Sequence, residues 1–473
     1  MHTDCSSLQL SFQGLGSRRI EAAFDGGSIT SDAGGLLLRE VALGTRLIHR
    51  FAACFTDHRN PDLIEHTVEE LLAQRVFAIA LGYEDLNDHD ELRRDPLLAT
   101  LAGKLDLTGS KRARARDRGS ALAGKSTLNR LELTPADATP ASRYQKIVFS
   151  PDAIDQLFVD LFLDAYRKPP RQIILDLDAT DDPLHGQQEG RFFHGYYRCY
   201  CYLPLYIFCG EHLLGAYLRP SNIDGSAGSE WVLERLVNRI RERWPEVRII
   251  VRGDSGFARD SLMSWCEQKG VDFIFGLAKN ARLKRRIRRR LERARRRCLR
   301  TGKACREYQD FRYRTLTSWS RQRRVVGKAE HLPQGPNPRF VVTSLSKQEY
   351  EARALYEEQY CARGEMENRI KEQQLDLFAD RTSTATMRAN QLRLWLSSMA
   401  YVMLSELRRV GLKGTELAAA QCGTIRTKLL KIGAVISVSV RRIYVRLASG
   451  YPYVDLFAHV LKNIRAAYVP LRC

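Results

Sequence analysis

The chain predicts an α/β fold: a mixed sheet flanked by helices, a mainly helical N-terminal region ahead of it, and a β-rich insertion within it. Three observations carry that class. Short apolar runs bounded by turns or acids, which suit buried strands, begin at Arg171. From there to residue 277 they alternate with helical periods in the order β-β-β-α-β-α-β, three strands in succession and then helix-linked strands. Up to about residue 150 the period is mostly helical after a short N-terminal strand region. At 473 residues the chain exceeds one ordinary core, so two or three domains are expected.

Taken in order, the clearest N-terminal helix starts at Asn60 as N-cap with Pro61 in its first turn. It carries Ile64, Val68, Leu71 and Ile79 and stops at Gly82. A basic, alanine-rich stretch from Thr108 to Lys125 reads as a loop or linker. Ser150 and Pro151 open a second helix with Ile154, Leu157, Phe158, Leu161 and Phe162 on one face. Ile173 to Leu177 is a buried strand ending in acids, and β-rich runs follow over 198–209 and 212–219. The helix over 229–244 turns Leu233, Leu236, Val237, Ile240 and Trp244 inward and is ended by Pro245. A strand over 247–251, a helix over 260–269 and a strand over 271–277 come next. After an arginine-rich run, strands over 307–315, 322–328 and 339–344 surround a proline-rich turn. A long helix resumes near Tyr350, another spans Met387 to Val410, and the rest reads helix, strand (435–447), helix. The expected division is therefore 1–150, mainly helical and DNA-binding; 151–278, first part of the sheet domain; 279–346, a basic and β-rich insertion; 347–410, second part of the sheet domain; and 411–473, a C-terminal helical region for DNA binding or dimerisation.

Lysine and arginine number 75 against 55 acids, a net charge of +20. Lys279 to Arg300 holds thirteen bases and one acid, Glu292, and so twelve of those twenty charges. Such density speaks of a polyanionic partner, nucleic acid first. No apolar run approaches the ~18 residues of a membrane span, and Met1 to Leu15 lacks the pattern of a secretory leader. The eleven cysteines are scattered without a zinc-spaced set, and reduced thiols are expected. His58, His66, His89, His185 and His194 form no spaced metal pair and read as polar packing or surface residues. Gly119 to Ser126 matches the phosphate-loop pattern GxxxxGK[ST] letter for letter. That loop needs a buried strand before it, and Lys111 to Arg118 is too basic and polar to be one, so a polar linker is expected instead of an ATP site.

Three acids stand where rigid elements end or expose a face. Asp178 closes the first strand, with Asp176 on the same strand face; Asp254 ends a later strand; Glu367 lies on the helix expected over 356–374. Steps of three and four put Tyr356, Tyr360, Arg363, Glu367 and Lys371 on one side of that helix, either a solvated face with ion pairs or a surface for a polyanion. Carboxylates from two strands and a helix can hold two divalent ions for phosphoryl transfer, and oxygen ligands alone suit Mg²⁺ or Mn²⁺.

The strand order and these acids resemble the RNase H-like catalytic domain of DDE transposases from bacterial insertion sequences. Longer phrases resemble the insertion-sequence 1380 family in particular. In the core these are Leu175 to Gln187, Tyr202 to Leu205 and Arg252 to Phe257; further on come Tyr360 to Lys371 and Ala379 to Ser383. Thr30 to Gly34, Phe55 to Pro61 and Gly82 to His89 extend the likeness to the N-terminus, so that it covers nearly the whole chain. It implies Asp178, Asp254 and Glu367 as catalytic, metal-binding residues holding two Mg²⁺ or Mn²⁺ ions, with Asp176 the alternative to Asp178. Glu367, rather than Glu365, fits the Tyr-Arg-Glu-Lys signature with Tyr360 and Arg363. The signature's lysine position holds Gln374, and Lys371, one turn after Glu367, is the substitute.

The implied activity is cut-and-paste transposition: cleavage at transposon ends and strand transfer into target DNA by a dimer assembled on DNA, in a bacterial cytoplasm with the nucleoid. A structure-specific nuclease without strand transfer and a non-catalytic DNA-binding regulator are the rivals. Tyr360, Arg363 and Lys371 would hold phosphates near the metals, and Arg285, Arg286 and Arg289 would contact the DNA backbone. Trp319 is either core packing or a stacking surface for a flipped base. Reading of the end sequence is expected in the N-terminal region.

Overall fold

The computed structural model describes residues 9–468; the first eight, part of the stretch read above as unlike a leader, lie outside them. The chain forms two compact units, one from described residues of 1–149, 376–378 and 399–473, the other from 150–375 and 379–398. No described helix is long and apolar enough to cross a membrane.

The second unit is built on a nine-stranded mixed sheet. Its main strands are β1 (Gln172–Ala179), β2 (Leu205–Cys209), β3 (His212–Tyr217), β4 (Arg248–Gly253), β5 (Asp272–Leu277), β6 (Cys305–Tyr313), β7 (Arg323–Leu332) and β8 (Arg339–Thr343). They lie in the order β3-β2-β1-β4-β5-β8-β7-β6, with the two-residue strand Gly335–Pro336 on β7. The first three strands form an antiparallel meander, whereas β4 lies parallel to β1 and β5 parallel to β4.

Both sheet faces are covered, so these strands run apolar instead of alternating. On one face Leu175, Leu177, Ile249, Val251, Phe273 and Phe275 join the largest core cluster. The helices Pro151–Asp164, Ser229–Arg243 and Asp260–Gln268 pack there. On the other face Ile250, Ile274, Val326 and Val341 meet Leu355 and Tyr356 of the helical segment 352–376. Asp176, Asp178 and Arg252 have the parity of that second face, which places the acids under the segment carrying Glu367.

The insertion does not stand apart. Its strands β6, β7 and β8 continue the sheet, because β8 pairs antiparallel with β5 and supplies its missing neighbour. The 198–209 run is two strands, split where Leu203 and Pro204 leave the ladder: Cys199–Tyr202 pairs with Phe192–His194 in a small separate sheet. The helix expected over 356–374 is not regular either. A 3₁₀ turn at Cys361–Arg363 and wide, π-type turns at Leu355–Tyr360 and Glu372–Asp376 flank the α-helix Gly364–Lys371. These turns bury Tyr356 against the sheet, removing it from the exposed face expected for it.

The first unit is mainly helical but unites both ends of the sequence. Strand Ser28–Thr30 pairs with Ala434–Val438, which pairs with Ile443–Leu447, so residues 411–473 do not form a region of their own. The helix expected from Asn60 begins later. Asn60 caps only a 3₁₀ turn, Pro61–Leu63, and Ile64 is extended. The helix is Val68–Leu81, opened by a capping box in which Thr67 and Glu70 satisfy each other's backbone N–H groups, and closed by Gly82 with φ +98°.

Candidate active site

The last ladder pair between β1 and β4 joins Leu177 to Gly253, and Asp178 and Asp254 each stand one residue beyond it. Two strand ends therefore deliver neighbouring carboxylates at the C-terminal edge of the parallel pair, where the backbone stops consuming space. Glu367, in the first turn of Gly364–Lys371, comes over them. All three line one cavity of about 680 Å³, shared with Arg363, Lys371 and Gln374.

Asp176 does not reach it. Its carboxylate is only 5% exposed and is gripped by Arg252 through two bonds, Nε to Oδ1 at 2.5 Å and Nη2 to Oδ2 at 2.7 Å. The register sets this pair, because Asp176 and Arg252 are directly opposed on the parallel strands. Asp178 instead accepts the Ala179 N–H at 3.1 Å on Oδ1 and turns Oδ2 toward the Arg363 guanidinium, 3.4 Å away. Burial pushes its carboxyl up to about 6; Arg363 opposes the rise, and Asp254 and Glu367 add to it. One Asp254 oxygen is fixed by the Gly256 N–H at 2.8 Å.

Arg363 spans the group, donating to Glu367 Oε1 at 2.7 Å while facing Asp178. Tyr360, three residues before it, lies tilted against Tyr356 at 5.5 Å between ring centroids. Its hydroxyl rests on Gly276 of β5, where a Cβ would come within 2.5 Å of the phenolic oxygen. Lys371 is exposed on the cavity wall, and Gln374 donates to the Asp181 carbonyl at 2.9 Å, so both signature-lysine candidates face the same space. Glu365 is exposed and outside the lining.

The donor set fits a hard divalent cation: three carboxylates, no thiol, and repulsion among the acids that a cation would relieve. Among the described residues no three histidine, cysteine or carboxylate side chains are drawn tightly around one point. The Arg363 guanidinium occupies the space between Asp178 and Glu367 and supplies part of the missing positive charge.

The remaining expectations divide. Arg285 and Arg286, on Ala281–Arg286, and Arg289, on Arg288–Thr301, are exposed and lie outside the cavity lining. Trp319 is corrected to core: it is 4% exposed, packed edge-on to Tyr313 at 5.7 Å within the main cluster, and has no free face for a base. Residues that sequence reasoning missed are His194, Tyr196 and Tyr197, which complete the wall. The signal was the aromatic density of Phe192 to Tyr200, where Tyr196 remains 84% exposed. Part of the long motif is structural: Thr382 donates to the buried Asp182 at 3.0 Å, tying together two of the phrases quoted above.

Among solved structures the chain is similar to piggyBac transposase in a synaptic complex with hairpin DNA, at 12% identity and a TM-score of 0.39, covering 94% of this chain and 86% of that one. No curated protein matches it. Residues 12–469 match the family described as transposase DDE domain group 1. That match spans both units and every element that brings Asp178, Asp254 and Glu367 to one cavity: the chain belongs to the transposase DDE domain group 1 family and is a DNA transposase.

Proposed function

We propose that Asp178, Asp254 and Glu367 are the metal-binding triad of a cut-and-paste transposase that cleaves transposon ends and joins them to target DNA. The observation that carries this is the separation of roles on β1: Asp176 is consumed by Arg252, while Asp178 faces the cavity with the other two acids. The meander followed by two parallel, helix-linked strands supports an RNase H-like core. Two Mg²⁺ or Mn²⁺ ions held by these oxygens would supply activation of the attacking hydroxyl and stabilisation of the leaving oxygen.

The chain's own groups do the rest. Arg363 leaves its bridge to pair with the two non-bridging oxygens of a phosphate, a bidentate geometry that suits guanidinium. Lys371 adds a second positive charge on the cavity wall. Tyr360 supports Arg363, and Arg285, Arg286 and Arg289 hold the DNA backbone without reading sequence. Both ends must be held at once for excision, which requires a dimer on DNA; the substrate places the enzyme with the bacterial nucleoid.

The test is Asp178→Asn, Asp254→Asn and Glu367→Gln made singly, with Mg²⁺-dependent cleavage of end DNA as the readout. Each is expected to lose at least a hundredfold in rate while DNA binding persists. Survival of cleavage in any one removes that residue from the triad. Wild-type protein that cuts but yields no joined product with target DNA would make the chain a nuclease.

A further inference from the structure

Between the helices Pro151–Asp164 and Ser229–Arg243 lies a cavity of about 230 Å³ whose lining shares no residue with the carboxylate cavity. Steps of three and four residues build its walls: Asp152, Asp155 and Val159 from the first helix, Arg235, Arg239 and Glu242 from the second. Tyr217, at the end of β3, lines it from the sheet.

Asp155 is 6% exposed, and its Oδ1 is buried without a hydrogen-bond partner. Such a group is costly, and folded proteins seldom leave one unanswered. Two arginines share the cavity, and both are engaged elsewhere. Arg235 donates to Asp152 at 2.7 Å and lies over the Trp231 ring at 4.8 Å. Arg239 grips Asp160 through two bonds, at 2.9 and 3.0 Å, and Glu242 through a third at 2.6 Å. The guanidiniums are spent on the more exposed acids, and the buried one is left without a cation. Burial pushes the Asp155 carboxyl up to about 7; Arg235 opposes the rise and Asp152 adds to it. Burial also holds the Tyr217 phenol well above its usual range, with Asp155 adding to that, so the tyrosine stays neutral beside the acid.

The rest of the lining sets what fits. Val159 and Leu236, 1% and 2% exposed, bring aliphatic surface to the same cavity. Among the described residues no three metal-ligating side chains gather around one point, so a hard divalent ion, which takes about six oxygen ligands, is undersupplied. An alkylammonium group meets both features, with N–H donors for the carboxylate and a carbon stem for the aliphatic wall.

We infer that this cavity binds a short aliphatic primary amine, its ammonium group seated on Asp155 and its carbon chain against Val159 and Leu236. Asp152 and Glu242 are exposed enough to meet the second ammonium of a diamine. The site needs neither DNA nor the metal-binding acids.

The full chain is titrated with butylammonium and putrescine chlorides by calorimetry at constant ionic strength. Tetramethylammonium serves as a cation that has no N–H donor. Both amines are expected to bind, and tetramethylammonium at least tenfold more weakly. Asp155→Asn keeps the shape and removes the charge, and is expected to weaken both amines at least tenfold. Its unfolding midpoint should hold or rise, because a carboxyl raised by burial costs stability at neutral pH. The wild-type carboxyl must lose its proton to hold the cation. Amine affinity is therefore expected to fall about tenfold per pH unit below about 7 and to level off above it, a dependence that Asp155→Asn should remove. Equal binding of tetramethylammonium, or amine affinity unchanged by Asp155→Asn, overturns the site. So does the absence of both heat and a rise in unfolding midpoint with either amine at about 10 mM, which fills even a millimolar site.

Discussion

Two aspartates two residues apart on one strand face have opposite fates, and the difference is a register. Asp176 is opposite Arg252 and becomes half of a buried ion pair; Asp178 is one step past the pairing of β1 with β4, and the charged groups it meets are the other acids and Arg363. Asp176→Asn strands a buried guanidinium and is expected to cost about 3–5 kcal/mol in denaturant unfolding. Asp178→Asn removes a carboxylate already raised by burial, so stability is expected to hold or rise while cleavage is lost. The reverse pattern would exchange the two roles. Gly276 gives a second residue-scale test. Gly276→Ala drives a methyl against both the Tyr360 hydroxyl and the Ser255 backbone nitrogen beside Asp254, and cleavage is expected to fall at least tenfold with little change in DNA affinity. Tyr360→Phe removes that oxygen, so the double variant should recover part of the loss; strictly additive losses would show that this close approach is not what matters.

At the scale of elements, local signals succeeded where they were complete and failed where a stronger one lay nearby. Asn60-Pro61 is a good helix start, yet the capping box at Thr67 and Glu70 satisfies two backbone donors where Asn60 satisfies one. Thr67→Ala is expected to lower stability by about 1 kcal/mol and Asn60→Ala by clearly less, read from urea midpoints. The reverse order would contradict the cap assignment. The helix carrying Glu367 kept Arg363, Glu367 and Lys371 on one wall as its spacing foretold, but its wide turns carried Tyr356 into the core. Such turns depend on what packs beneath them, and a spacing rule assumes 3.6 residues throughout.

For the molecule as a whole, two buried histidines couple folding to pH. Burial pulls His89 down to about 3, with Arg75 facing its Nε2 at 3.2 Å and adding to the shift. His66 is held near 3 by burial, then by Lys104 and Arg112. The unfolded chain takes up these protons near pH 6.5 and the folded chain does not. Stability is therefore complete above that value and is lost as pH falls, by roughly 1.4 kcal/mol per pH unit per histidine between about pH 6 and 3. Urea midpoints measured down to pH 4 check this, and His89→Gln should flatten the slope. A slope unaffected by that change would place the acid sensitivity elsewhere.

The sequence by itself determined the order of strands along the chain, the helices that cover the sheet, the excess of positive charge, and the candidate acids, with two aspartates open on the first strand, because each is written in short-range periodicity or in a contiguous phrase. Only tertiary structure decided which aspartate of β1 faces the cavity, that the insertion extends the sheet, that Trp319 is core, and that both chain ends share one unit. Those outcomes depend on partners dozens to hundreds of residues away: Arg252 for Asp176, β5 for β8, Ala434–Val438 for Ser28–Thr30. A pattern along the chain reports what a residue prefers; pairing across the fold decides which preference is met.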